Sequence, residues 1–182
     1  MKLTLAAAAA AFALAACSDS QGPDASASPD SGSGSGASAI PDAVLLTAAP
    51  DGAVDVAVAK AGAKAGDKVV VKGFVGAREE PFVAGRAMLV LGDSTKLTTC
   101  DKRPGDTCET PWDACCDDLD VVKASTATIQ VTDASGNVLK APLKGFGKIK
   151  EQSDLVVVGT VDAASDEGAF IINAEGIYVA KP

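Results

Sequence analysis

Histidine is absent from all 182 residues of the chain. It is the usual general base, a common zinc ligand, and the side chain whose unperturbed pKa lies nearest neutrality. Its absence excludes Ser-His-Asp and Cys-His catalytic sites and any zinc site with a histidine ligand. The sequence therefore predicts a non-catalytic protein that carries no cofactor.

Basic residues are also few. The formal net charge is −8, and from Asp42 onward 15 Lys and Arg face 21 Asp and Glu, which leaves −6 on that part of the chain. A domain with this balance repels phosphate backbones, whereas nucleic-acid binders present a basic face. Nucleic acid is therefore excluded as an expected partner.

Long apolar runs are limited to the N-terminus. Lys2 is followed by the apolar stretch Leu3–Ala13, which has the length of a secretory signal and is too short to span a bilayer. The segment Leu14-Ala15-Ala16-Cys17 resembles the lipobox of bacterial lipoproteins. The resemblance implies that residues 1–16 are a removed signal peptide and that Cys17 is acylated. The alternative is an ordinary signal peptide cleaved near Ala16.

The lipobox also implies an address in the cell envelope. Ser18 follows Cys17, in place of the aspartate that retains lipoproteins in the inner membrane, and this favours the periplasmic or surface side of the outer membrane. Residues 17–41 are mostly Ser, Gly, Ala, Asp and Pro, a composition typical of a disordered tether. Residues 42–182 then have the size of one domain.

The remaining chain has the patterns of a small all-β domain with little helix. Ala53–Ala65 predicts a short N-terminal helix that ends at Gly66, and Leu143–Gln152 predicts a helical turn or two that brings Phe146 and Ile149 to the core. Five β-branched or alternating runs predict strands: Lys68–Val75, Arg86–Leu91, Ala124–Thr132, Asp154–Val161 and Ala169–Val179. After the third of these strands and a turn, Val138–Leu143 is expected to extend the strand pairing.

This order of elements favours an OB-like barrel, a closed five-stranded Greek-key fold. Gly73, Gly159 and Gly176 fall inside strand patterns, where they suit the bulges and bends that closing a small barrel requires. A β-sandwich of similar length is the alternative.

A long segment, Lys96–Asp120, separates the second and third predicted strands. Loops of this length in compact domains are usually functional or disordered. It contains four cysteines, which in an exported protein predict two disulfides that staple the loop. Adjacent cysteines form a strained ring, so each of Cys115 and Cys116 is expected to pair with one of Cys100 and Cys108, in an order that the sequence leaves open.

Other readings of this loop are weaker. Cysteine gaps of seven, six and zero residues differ from the spacing of structural zinc sites, so no metal site is predicted. A redox-active pair lacks the Cys-x-x-Cys motif. The acidic residues of the loop lack the order of a calcium-binding EF-hand and indicate a solvated surface.

The segment Thr110-Pro111-Trp112-Asp113-Ala114-Cys115-Cys116, with Gly85-Arg86-Ala87 and Gly176-Ile177-Tyr178-Val179, resembles a family of uncharacterised exported bacterial OB-fold-like lipoproteins. The resemblance implies a fold and an envelope address but no activity. Its conspicuous residues are the candidate binding residues Trp112, Arg86 and Asp113. Trp112 either packs on a disulfide as part of the loop or contacts a ligand.

These observations favour a lipid-anchored binding or interaction domain of the cell envelope. Its partners are the membrane, through the lipid, and an envelope protein, peptide or glycan that binds beside the cysteine segment. A structural or stress-related envelope protein without a small ligand is an alternative. An enzyme that uses paired carboxylates, Glu79 with Glu80 or Asp117 with Asp118, is a weaker one.

Overall fold

A computed structural model of the chain describes residues 39–182. The predicted signal peptide, Cys17 and most of the predicted tether lie outside these residues. In the described part, no helix is both long and apolar enough to cross a bilayer. Its elements are β1 (Val54–Asp55), α1 (Val56–Gly62), β2 (Lys68–Val75), β3 (Met88–Gly92), α2 (Leu119–Ala124), β4 (Thr126–Gln130), β5 (Asp154–Val161) and β6 (Ile171–Lys181), with 3₁₀ turns at Asp42–Val44, Cys100–Lys102 and Phe146–Lys148.

Five of the six strands close into a barrel. The sheet order is β1-β2-β3-β4-β6-β5, and β5 also pairs with β2. Within this ring the β4–β6 pair is parallel and every other pair is antiparallel. The arrangement confirms the predicted OB-like fold. The β-sandwich alternative is wrong, because the return of β5 to β2 makes one closed sheet.

All five predicted strands are present in the predicted order. β2 and β5 begin and end where the sequence places them, whereas β3 begins at Met88, two residues after the predicted start. The pairing predicted for Val138–Leu143 is present as an isolated β-bridge between Thr132 and Val138. The sequence analysis did not predict β1, which pairs in parallel with β2 outside the barrel ring.

The two α-helices are short. The predicted N-terminal helix is confirmed but covers only Val56–Gly62, since Val54 and Asp55 pair with β2. Helix α2 was not predicted, and it includes Ala124, which was assigned to a strand. The predicted turns after Leu143 form a single 3₁₀ turn, with Ile149 fully buried and Phe146 partly buried against the core.

The core fills the barrel. Along β5, buried residues alternate with half-buried ones, as expected for a strand with one face inside. Ile40 is only 8% exposed and packs in this core, two residues before the predicted domain boundary at Asp42. The packed domain therefore includes the end of the segment predicted to be tether.

Gly159 lies at an irregularity between β5 and β6. Val158 pairs with Gly176 while Gly159 pairs with Ala174, so the register shifts between the two residues. A Cβ atom on Gly159 would collide with the backbone carbonyl oxygen of Asn173. Glycine is thus required for the close approach of the two strands at this bulge.

Candidate functional site

The cysteine loop, residues 96–118, joins β3 to α2 and doubles back on itself. The amide of Cys100 donates to the carbonyl of Asp113 at 2.8 Å, and the amide of Asp101 donates to the carbonyl of Pro111 at 3.1 Å. These long-range bonds bring the two ends of the loop side by side. They place Cys100 beside the segment that carries Cys115 and Cys116.

The loop is anchored to the barrel by a small core of its own. This core consists of Phe74, Ala77, Leu97 and Ala114, with Val122 packed against it. The amide of Ala77 donates to the carbonyl of Trp112 at 2.9 Å. Arg103 and Asp117 form an ion pair, and Asp117 also accepts a hydrogen bond from the Thr98 amide at 2.8 Å. The loop is therefore an ordered part of the domain.

The four cysteines of the loop meet around Cys115. Its Sγ atom lies 3.5 Å from Sγ of Cys100 and 3.8 Å from Sγ of Cys108 and of Cys116. All four are free thiols in this structure, so the two predicted disulfides stay a prediction. Hydrogen bonds with the other three thiols raise the pKa of Cys115 above its ordinary value.

Trp112 is half-buried and held in a fixed position. Its indole Nε1 donates to the carbonyl of Glu79 at 3.0 Å, and its own carbonyl accepts from Ala77. The ring therefore packs against the β2–β3 connection, and its packing on a disulfide stays a prediction. Part of the ring stays accessible to a ligand.

Trp112 lines an open groove of about 510 Å³. Phe82 and Leu143 also line it, together with the exposed residues Glu79 and Glu80 at its rim. Lys144, another lining residue, pairs with Glu151 at 2.6 Å and lies 5.7 Å from the centre of the Phe82 ring. The groove thus combines aromatic side chains with a lining that carries more negative than positive charge.

The other two candidate binding residues have different surroundings. Asp113 is buried, and its Oδ1 accepts from the Ala114 amide at 2.7 Å, so it stabilises the turn after Trp112. Arg86 is exposed and lines a separate cavity of about 640 Å³ with Asp133 and Asn137. Only Asp113 is brought next to Trp112; Arg86 does not line the groove.

The two carboxylate pairs considered for catalysis, Glu79 with Glu80 and Asp117 with Asp118, also have different surroundings. Asp117 is committed to Arg103 and Thr98, and Asp118 accepts from the Asp120 amide at 2.8 Å as the N-cap of α2. Both therefore have structural partners. Glu79 and Glu80 are exposed at the rim of the groove and contribute charge there.

Asp93 is a buried carboxylate with a stabilising role that the sequence did not indicate. It follows β3 and is fully buried. One carboxylate oxygen accepts from the Ala57 amide at 2.9 Å, near the start of α1, and the other accepts from the amide of Thr95 at 2.8 Å. Burial opposes its ionisation, but the bonds from Thr95 and Ala57, with nearby Lys96, outweigh burial and lower the pKa of Asp93.

Asp93→Asn is expected to lower the free energy of unfolding by about 1–2 kcal/mol, because the amide turns a donor toward one of the backbone N–H groups. Urea unfolding at neutral pH measures the loss, with exposed Asp51→Asn as the control that should change little.

The loss of stability caused by Asp93→Asn should become smaller as the pH falls. The folded pKa of Asp93 lies below the unfolded value of about 3.9, so its contribution is complete above that value and is lost as the pH falls through the folded pKa. The gap between wild type and variant should therefore narrow toward about pH 3. A gap that is equally wide there would show that the charge of Asp93 is not what stabilises α1.

Comparisons with known proteins add little to this geometry. No protein-family model and no curated protein matches the chain. Among solved structures, the chain is similar to "OBody AM1L10 bound to hen egg-white lysozyme", with 15% sequence identity, over 68% of this chain and 91% of that chain, at a TM-score of 0.35. At this level the likeness supports no conclusion on function, and the fold assignment rests on the strand topology.

Proposed function

We propose that this protein is a non-catalytic binding domain of the cell envelope, held at the membrane by a lipid on Cys17. The observation that carries the binding function is the groove beside Trp112, in which a fixed, partly exposed aromatic ring lies next to free carboxylates. An aromatic ring held rigidly supplies contact area at a low cost in conformational entropy, as in many binding hot spots.

One of the elements that line the groove, the β2–β3 connection, is also used for binding in OB-folds. They bind ligands on the face of the second and third barrel strands and with the connection between the first two strands. Here the β2–β3 connection supplies Glu79, Glu80 and Phe82, and the long insertion between β3 and β4 supplies Trp112. This support is analogy at the level of the fold.

The charges of the groove favour a basic peptide segment of an envelope protein as the partner. Glu79, Glu80 and Glu151 face a single Lys144, so the lining has a formal charge of −2. Lysine or arginine in a peptide would complement the rim while an adjoining apolar residue contacts Trp112 and Phe82. The same charge opposes nucleic acid, whose binding depends on basic side chains and counterion release.

The test is titration with short peptides that carry Lys or Arg beside an apolar residue, with acidic peptides of equal length as controls. Trp112 is the single tryptophan, so its fluorescence should shift on binding of the basic peptides only. Trp112→Ala should weaken binding measured by calorimetry by at least about tenfold, because it removes the central contact.

Val58→Ala is the matched control for that substitution, since Val58 is 58% exposed on α1 and does not line the groove. It should leave the peptide affinity unchanged. Silent titrations in both fluorescence and calorimetry would contradict the proposal, as would a Trp112→Ala variant that binds normally. Tight binding of single-stranded DNA at physiological salt would show that the charge argument is wrong.

A further inference from the structure

Four cysteine sulfur atoms lie close together in the cysteine loop, three of them around Sγ of Cys115. The Sγ atom of Cys115 has those of Cys100, Cys108 and Cys116 within 3.8 Å. The sulfurs of Cys100, Cys115 and Cys116 all lie within 4.8 Å of one another. One thiol is therefore surrounded by three others at nearly equal distances, although the sequence separates Cys100 from Cys115 by 15 positions.

The separations measured from Cys115 match those between neighbouring ligands of a tetrahedral metal site. Structural zinc sites hold four ligands with Zn–S bonds of about 2.3 Å, which places neighbouring sulfurs about 3.8 Å apart. A disulfide joins sulfurs two by two, and so would select one of the three neighbours of Cys115. A metal ion instead collects several thiolates around one point. The sulfurs of Cys100, Cys115 and Cys116 already lie within 4.8 Å of one another, and Cys108 adjoins them at Cys115.

We propose that Cys100, Cys108, Cys115 and Cys116 bind one Zn²⁺ ion as thiolates. Sulfur ligands in tetrahedral geometry select zinc over the hard cations magnesium and calcium. As each Zn–S bond forms, the thiol gives its proton to solvent and the ion stays divalent, so no oxidant is needed. Two disulfides in the same loop would require an acceptor for four electrons.

The loop is folded in a way that suits such a site. Cys100 is 1% exposed and is fixed by its backbone bond to Asp113, so it forms the inner wall. Cys108, Cys115 and Cys116 are exposed, which leaves a path for an ion from solvent. The bound ion would join the two sides of the loop. This inference does not depend on what the Trp112 groove binds.

Asp106 lies close to this site and provides a control. Its carboxylate and the sulfurs of Cys100 and Cys108 are within 4.8 Å of one another. One of its oxygens accepts from the Cys108 amide at 2.7 Å, an interaction that positions the backbone of a ligand. We therefore place Asp106 outside the ligand set: Asp106→Asn should still bind one ion per chain, with an affinity lowered less than by Cys115→Ser.

The experiment uses the mature protein taken from its membrane in detergent, fully reduced without oxygen and freed of metal. Titration with Zn²⁺ against a chromogenic chelator should give one ion per chain by elemental analysis. Co²⁺ should give the strong visible absorption of a tetrahedral thiolate site. Cys115→Ser should lower the zinc affinity at least about tenfold, since even partners outside the ligand set commonly change affinity 10- to 100-fold.

Folding is checked separately by circular dichroism and by Trp112 emission. If Cys115→Ser does not fold, exposed Cys116→Ser takes its place, and the wild-type stoichiometry still decides. Reduced protein that binds neither Zn²⁺ nor Co²⁺ in this geometry overturns the proposal. So does protein that is alkylated during isolation and contains two complete disulfides and no metal, a result that would support the disulfide prediction instead.

Discussion

Gly159→Ala is expected to lower the free energy of unfolding by about 1–3 kcal/mol, because it adds a methyl group where two strands already touch. The new Cβ would collide with the backbone carbonyl of Asn173 and lie 2.8 Å from Cγ2 of the fully buried Ile172. The backbone of Asn173 can move away only if the hydrogen-bonded pairing of β5 with β6 opens. That pairing helps to close the barrel. Urea unfolding measures the loss.

Gly62→Ala is the matched control for this effect. Gly62 is the last residue of α1, and a Cβ atom there meets nothing within 4 Å. Alanine also restricts the unfolded chain, so this variant should be neutral or more stable by up to about 1 kcal/mol. Equal losses for the two variants would contradict the packing argument at the bulge. A larger side chain, in Gly159→Val, should destabilise the barrel further.

The barrel was predictable because its strands carry local signals. Lys68–Val75 and Asp154–Val161 are runs rich in valine with turn residues on both sides, and the structure has β2 and β5 at these bounds. Helix α2 has only six residues, too few for apolar periodicity to indicate a helix. The two residues of β1 are too few for any period to be detected.

The candidate sites were less predictable because tertiary contacts assemble them. Asp93 binds the start of α1 across 36 positions of the chain, and no local pattern marks it. The sequence separates Cys100 from Cys115, and only the pairing of Cys100 with Asp113 in the folded loop shows that the two sulfurs lie close together. Trp112 was singled out by the sequence, whereas the β2–β3 and β4–β5 connections that complete its groove could be assigned only from the fold.

The proposed location depends on Cys17, and Cys17→Ser is expected to remove the protein from the membrane fraction. Acyl chains contribute roughly 0.8 kcal/mol for each buried methylene, and more than one chain makes attachment stable. Fractionation of cells measures the attachment to the membrane. The mass of the N-terminal peptide of the mature wild-type protein shows whether a lipid on Cys17 causes it.

Cys108→Ser is the matched control for this experiment, because it makes the same change at an exposed cysteine of the folded domain. It should stay with the membrane, whereas Cys17→Ser should be found in the soluble fraction. A wild-type N-terminus that begins at an unmodified Cys17, or at another residue, would contradict lipidation. The domain would then be an exported protein cleaved near Ala16, free of the membrane, and its groove would have to meet its partner in solution.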